Sequence, residues 1–168
     1  MYRIAMRWLD HKFLKDPVHY VVQTLLAFAA IAVVIVALGA LTSGAMVAAL
    51  GASAFIVFAA PHTSMAQPRN LVGGHVLSMA VGLLCSVVFR FGWLSLTDLN
   101  AGLIGAAAVA LSLFAMVVTD TEHPPAAGNA LAFAVSAFDI GHILFTIGAV
   151  ISFAAIRYAL RNWLRDLI

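Results

Sequence analysis

The chain has 168 residues, of which 64% are hydrophobic and 10% charged, and its mean hydropathy is +1.04. That balance excludes an ordinary soluble domain and calls for a membrane solvent. The formal charge of +2 and the pI near 9.0 come from basic residues flanking apolar runs, so no nucleic-acid partner is expected.

Residues 1–17 form a basic interfacial segment carrying Arg3, Arg7, Lys12 and Lys15. The apolar run that follows is longer than a signal-peptide core and has no clean small-residue cleavage site, so the first span is expected to be retained. Low serine content also argues against an organelle transit peptide. Residues 18–168 are too few for a second domain and read as one transmembrane domain.

No Asp, Glu, Lys or Arg occurs between Asp16 and Arg69. A bilayer core of about 30 Å needs roughly 20 helical residues, so this gap holds more than one span. The pattern predicts an all-α, polytopic bundle with segments at Val18–Leu41, Ala45–Ala60, Leu71–Leu96, Ala101–Val118, Ala126–Phe138 and Gly141–Trp163. The second and fifth are too short to cross unaided. Trp8, Trp93 and Trp163 fall near segment ends, as interfacial anchors do. Cys85 lies in an apolar helix and reads as a small packing residue.

The two halves, about 18–96 and 97–163, repeat. Gly74-His75-Val76-Leu77 aligns with Gly141-His142-Ile143-Leu144, and the same register sets Arg90 against Arg157 and Phe91 against Tyr158. Upstream, Gly51-Ala52-Ser53-Ala54 falls opposite Gly128-Asn129-Ala130-Leu131, each expected to open a short segment. A three-segment unit is odd, so its second copy enters from the opposite face: a 3+3 inverted repeat with both chain ends on one side. With those ends inside, only Arg90 faces out, which satisfies the positive-inside rule. The alternative is a four-span bundle with re-entrant or peripheral short segments.

Short, Gly- or Pro-interrupted segments at matching places in inverted halves point to a transport site. A helix that begins near the midplane presents unpaired N–H groups and a positive dipole end, so the N–H groups at Pro125–Asn129 and Gly51–Ala54 are candidate anion donors. Pro124 and Pro125 suit the first turn of a helix starting near Ala126, followed by Ala127, Gly128 and Asn129. The bland reading of this run is a tight turn between spans.

His123 can donate to an anion, shuttle a proton or cap the backbone. Ser53 is a hydroxyl on the other short helix or a packing residue that holds helices close. His75 and His142 are either helix-start histidines or a symmetric pair lining the path. Asp139 is placed to cap the last span and pair with His142. Asp120 and Glu122 read as interfacial carboxylates or as groups that couple protons. Residues 60–70 form the longest polar connection, which can bring Gln67 or Asn70 to the inner mouth. No metal-ligand spacing occurs, and no cofactor is expected.

Glu122-His123-Pro124-Pro125-Ala126 resembles the signature of the HPP family of integral membrane proteins. Gly51–Ala54, Ala66-Gln67-Pro68-Arg69-Asn70 and Gly73-Gly74-His75 resemble its other recurrent blocks. The resemblance runs from about Pro17 to Tyr158. It departs where Gly128-Asn129-Ala130-Leu131 replaces the family's frequent Gly-Ala-Thr-Ala. It implies a membrane module usually described with about four spans, and an association, in plant and cyanobacterial members, with nitrite transport.

The expectation is therefore a small-anion permease or channel, nitrite favoured, in a bacterial inner membrane with cytoplasmic termini and with no enzymatic activity. Membrane lipid and the anion are the expected partners, and the small interior is compatible with a homo-oligomer. A non-transporting scaffold or sensor is the alternative, and a metal-dependent membrane enzyme the weaker one.

Overall fold

A computed structural model describes residues 11–38, 44–95, 97–136 and 139–168. Arg3, Arg7 and Trp8, and the expected span ends at Leu41, Leu96 and Phe138, lie outside the described residues.

The described residues are helical: α1 (His11–Lys15), α2 (Pro17–Leu38), α3 (Gly44–Ala59), a 3-10 turn (Ser64–Ala66), α4 (Pro68–Arg90), α5 (Asp98–Thr119), α6 (Ala126–Val135) and α7 (Ile140–Leu160). Local chemistry sets several ends. Pro68 sits in the first turn of α4, where its missing N–H costs nothing. Thr97 caps α5 by accepting from the Asn100 N–H at 3.3 Å, and Asp139 caps α7 by accepting from the Gly141 N–H at 2.7 Å. α5 stops at Asp120, which adopts the left-handed conformation with φ 55°.

Helix directions follow from which ends meet. Gln23 near the start of α2 reaches the Phe58 carbonyl near the end of α3, so these two run antiparallel. Arg69 at the start of α4 reaches Thr119 at the end of α5. Gly74 faces His123 while Gly82 faces Ala130, so α4 and α6 run parallel. A Cβ on Gly82 would lie 2.5 Å from the Ala130 carbonyl oxygen, so only glycine permits this approach. Arg157 near the end of α7 reaches Pro61, just past α3.

Three helices, α4, α5 and α7, are long and apolar enough to cross a membrane, and α2 and α3 contribute shorter apolar stretches. α6 has ten residues, about 15 Å at 1.5 Å per residue, and is half of what a crossing needs. Length and composition thus give three candidate spanning helices among the described residues, where the sequence suggested six segments. Leu84, Leu103, Phe114 and Leu144 stay exposed, as side chains bathed in hydrocarbon do. The main apolar core gathers Leu50, Val57, Phe58, Leu71, Phe145 and Phe153 from α3, α4 and α7.

Candidate functional site

Four polar side chains from three helices and a turn meet inside the bundle. Ser53 on α3, His75 on α4, His123 in the α5–α6 turn and Asn129 on α6 are each 0% exposed. Ser53 Oγ lies 2.8 Å from His75 Nε2, 2.9 Å from His123 Nε2 and 2.9 Å from the Ala49 carbonyl oxygen. His75 Nδ1 lies 2.6 Å from Asn129 Nδ2, and His123 Nδ1 lies 2.8 Å from the Met65 carbonyl oxygen. The two imidazoles are tilted neighbours with centroids 5.2 Å apart.

The backbone makes this convergence possible. Gly74 lets the α5–α6 turn press against α4: a Cβ there would lie 2.8 Å from His123 Cβ and 3.0 Å from the Thr121 carbonyl oxygen. Pro124 and Pro125 then start α6 at Ala126, which puts Asn129 one turn further in. Gly128 packs on Ala49 of α3, so α6 and α3 lie side by side with Ser53 facing both rings.

Donors and acceptors can be counted. A carbonyl oxygen only accepts, so His123 Nδ1 carries a hydrogen for Met65. An amide nitrogen only donates, so His75 Nδ1 is the acceptor for Asn129 and its Nε2–H donates to Ser53. With both rings neutral, His123 Nε2 is a bare lone pair. Ser53 then has one hydrogen and two claimants, His123 Nε2 and the Ala49 carbonyl. One further proton, on His123 Nε2, satisfies every contact. Asn129 Oδ1 is also buried without a partner. The cluster is therefore short of donors, and it can take up a proton or a protic ligand.

The sequence-predicted residues divide. Ser53, His75, His123 and Asn129 come together. Gly51 and Ala52 do not, because Gly51–Ala54 lies inside α3, seven residues past its start at Gly44, and Ala52 faces outward. Their N–H groups belong to an uninterrupted helix. The expected N–H donors of the Pro125–Asn129 run are likewise engaged: Ala126, Ala127 and Gly128 donate to the carbonyls of His123, Pro124 and Pro125 at 2.9, 3.1 and 3.1 Å. The polar site is built from side chains, and the expectation of open helix N-termini is corrected.

Around the cluster, Asn70 donates to the Glu122 carbonyl at 3.2 Å and braces the turn. Asp120 is exposed and pairs with Arg69 at 3.0 Å. Glu122 and His123 line a shallow, almost wholly apolar groove of about 300 Å³ with Met65, Met116 and Pro124. Gln67 lies apart, in a cleft beside Arg157. His142 starts α7 at the opposite end of the bundle, 3.9 Å from Asp139, so it forms no pair with His75.

Two features escaped the sequence reading. The Met65 carbonyl, which fixes the His123 tautomer, carries no signal in a residue name. Ser78 and Ser112 share a buried hydrogen bond of 2.6 Å between α4 and α5, and a serine in each of two small-residue helices was the available hint. No group of three or more metal-ligating side chains occurs among the described residues.

Long apolar helices around a buried polar cluster define an integral membrane protein. The transmembrane region of the HPP family matches residues 14–164, and the chain belongs to that family. It is also similar to two Dictyostelium discoideum proteins described only as transmembrane proteins. One is 40% identical over 86 residues, 51% of this chain and 28% of the relative; the other is 37% identical over 92 residues, 55% of this chain and 28% of the relative. The aligned stretch spans less than a third of either relative. No solved structure matches the chain.

Proposed function

We propose that this protein moves a small inorganic anion, with nitrite the favoured substrate, together with a proton taken up by the Ser53–His75–His123–Asn129 cluster. The observation that carries the reading is a buried cluster one hydrogen short of satisfaction in a chain of this composition. Burying polar side chains in hydrocarbon is costly, and where they persist they mark a substrate or proton path. A bare anion would add one more acceptor to a site that lacks donors. An anion that arrives with a proton supplies the missing hydrogen, and the neutral pair costs less to bury than either ion alone.

Two further observations support the reading. α2–α3–α4 and α5–α6–α7 run in opposite senses, with lengths 22, 16, 23 and 22, 10, 21, as two inverted halves around a central site would. Lys12, Lys15, Arg69, Arg157, Arg161 and Arg165 gather at the end where the described chain starts and finishes, which favours cytoplasmic termini. The internally bonded first turn of α6 favours a second reading, a packed scaffold without flux.

Uptake into liposomes separates the two. Nitrite, nitrate or formate should enter vesicles containing the protein, faster when the outside is more acidic. Absence of protein-dependent flux for all three anions overturns the transport reading. Flux that ignores the pH gradient removes the proton and keeps the permease.

A further inference from the structure

At the basic end of the bundle, the turn after α7 and the α3–α4 connection enclose a second polar site. A cleft of about 520 Å³ opens between His62, Gln67, Arg157, Tyr158, Arg161 and Asn162. No carboxylate among the described residues lines it.

Arg157 is the informative residue. It is only 8% exposed, yet its Nε and Nη2 both donate to one neutral acceptor, the Pro61 carbonyl, at 3.0 and 2.7 Å. A buried guanidinium ordinarily has a carboxylate or other anion as partner, since a buried charge without one is costly. Among the described residues Arg157 makes no ion pair. The three described aspartates at this end are engaged elsewhere, Asp16 with Arg165 and His19, Asp120 with Arg69, and Asp166 with His62, while Glu122 lies on the Met65 groove.

A second cation sharpens the imbalance. Arg161 is four residues on, so it projects from the same side of the helix end as Arg157, and like charges at that spacing repel. Its guanidinium is held 4.3 Å over the Tyr158 ring, which fixes its place without neutralising it. The C-terminal dipole of α7 offsets part of this charge, but within one turn it is a partial charge against two full ones. Asn162 and Gln67 add neutral donors to the same cleft.

We infer that this cleft is a binding site for a phosphate-type oxyanion, held between Arg157 and Arg161. Guanidinium groups present planar forked donors that match phosphate oxygens, and 520 Å³ accommodates a phosphate with its ester substituents. Basic pockets between helices at a membrane face receive anionic headgroups, so the phosphate can come from an anionic phospholipid or from solution. The site is independent of the Ser53 cluster and stands whether or not the protein transports an anion.

The test places the full chain in nanodiscs of phosphatidylcholine alone and with added phosphatidylglycerol, and separately titrates inorganic phosphate into the detergent-solubilised protein. Phosphatidylglycerol should raise Tm by roughly 4 °C or more, and high salt should erode the rise only in part because Arg157 is buried. Arg161→Gln should abolish the rise while leaving Tm in phosphatidylcholine near wild type. Arg157→Lys keeps the charge but loses the fork, and should weaken it. Arg90→Gln, at the opposite end, should leave it intact. A rise with phosphate in detergent assigns the site to the free ion, and a rise with phosphatidylglycerol alone assigns it to lipid. No rise in either arm, or equal loss in Arg161→Gln and Arg90→Gln, overturns the site.

Discussion

His123 Nε2 lies 2.9 Å from Ser53 Oγ, although the two residues are 70 positions apart. The serine hydroxyl bridges the two rings: it accepts from His75 Nε2–H, and its one hydrogen is contested by His123 Nε2 and the Ala49 carbonyl. That single contact ties α3, α4 and the α5–α6 turn into one polar unit.

Ser53→Ala removes the bridge and strands two buried ring nitrogens. Unfolding stability should fall by about 1–3 kcal/mol, the cost of buried polar groups left without a partner. Ser53→Cys retains a weak donor and should lose less. Chemical denaturation in a mild detergent, compared across the two variants and wild type, checks the order. Equal stability of Ser53→Ala and wild type would mean the hydroxyl bridges nothing of consequence.

Much of the chain's plan was legible because its signals are local. Pro124 and Pro125 precede the start of α6 at Ala126 and Asp139 caps α7 as its spacing from His142 suggested, whereas α4 begins at Pro68, three residues before the expected Leu71. The segment order followed from the apolar runs and the polar, glycine and proline breaks between them. The cluster was only half legible: its four members were candidates, but His75 meets Asn129 across 54 residues, and no local pattern reports such a contact. Gly51–Ala54 was misplaced for a different reason. The apolar run places the start of α3 within one residue, but matching Gly51–Ala54 to Gly128–Leu131 treats a mid-helix stretch as a helix opening.

Proton uptake makes the role of His123 separable from its packing. His123→Gln can still donate to the Met65 carbonyl, but it holds no proton in the accessible range. Burial lowers the His123 ring to about 4, so wild-type flux should rise as pH falls from neutrality toward that value, because the protonated fraction grows on the acid side. The variant's flux should be flat across the same interval. Initial uptake rates at a series of pH values, equal inside and out, measure this. A variant that keeps the wild-type slope would take His123 out of the proton step.

Gly74 and Gly51 carry opposite expectations despite both lying in apolar helices. Gly74→Ala sets a methyl 2.8 Å from His123 Cβ and 3.0 Å from a backbone oxygen, and should cost about 1–3 kcal/mol by overpacking. Gly51→Ala meets nothing within 4 Å and should gain up to about 1 kcal/mol from helix propensity. Paired melting curves decide. Destabilisation by Gly51→Ala would indicate a close approach that this arrangement lacks.

Asp120 is the described non-glycine residue with positive φ, and its carboxylate pairs with Arg69 at the surface. The two contributions can be weighed. The ion pair is exposed, with side chains 65% and 77% accessible, so it is worth little. The backbone conformation costs roughly 1–2 kcal/mol for a residue that resists the left-handed region. Asp120→Gly should therefore be neutral or slightly stabilising, and Asp120→Val should destabilise. Equal losses in both variants would mean the ion pair dominates.

Gln23 closes the basic end. Its Nε2 donates to the Phe58 carbonyl at 2.6 Å and to the Arg165 carbonyl at 3.0 Å, while its Oε1 accepts from the Arg165 N–H at 3.0 Å. The side chain is 0% exposed, so Gln23→Leu keeps the volume but strands two carbonyls and one N–H. The segment after α7 should then loosen, held by the Leu167 N–H bond to the Ala59 carbonyl at 2.8 Å, by Tyr20 and Lys12 donating to the Leu167 and Ile168 carbonyls, and by the Arg165–Asp16 and His62–Asp166 pairs. Amide exchange at Arg165 and Leu167 should accelerate by about tenfold or more, corresponding to at least 1.4 kcal/mol of lost protection, while exchange in α4 stays near wild type. Equal acceleration in α4 and at Leu167 would show that Gln23 supports the whole bundle and not this clamp alone.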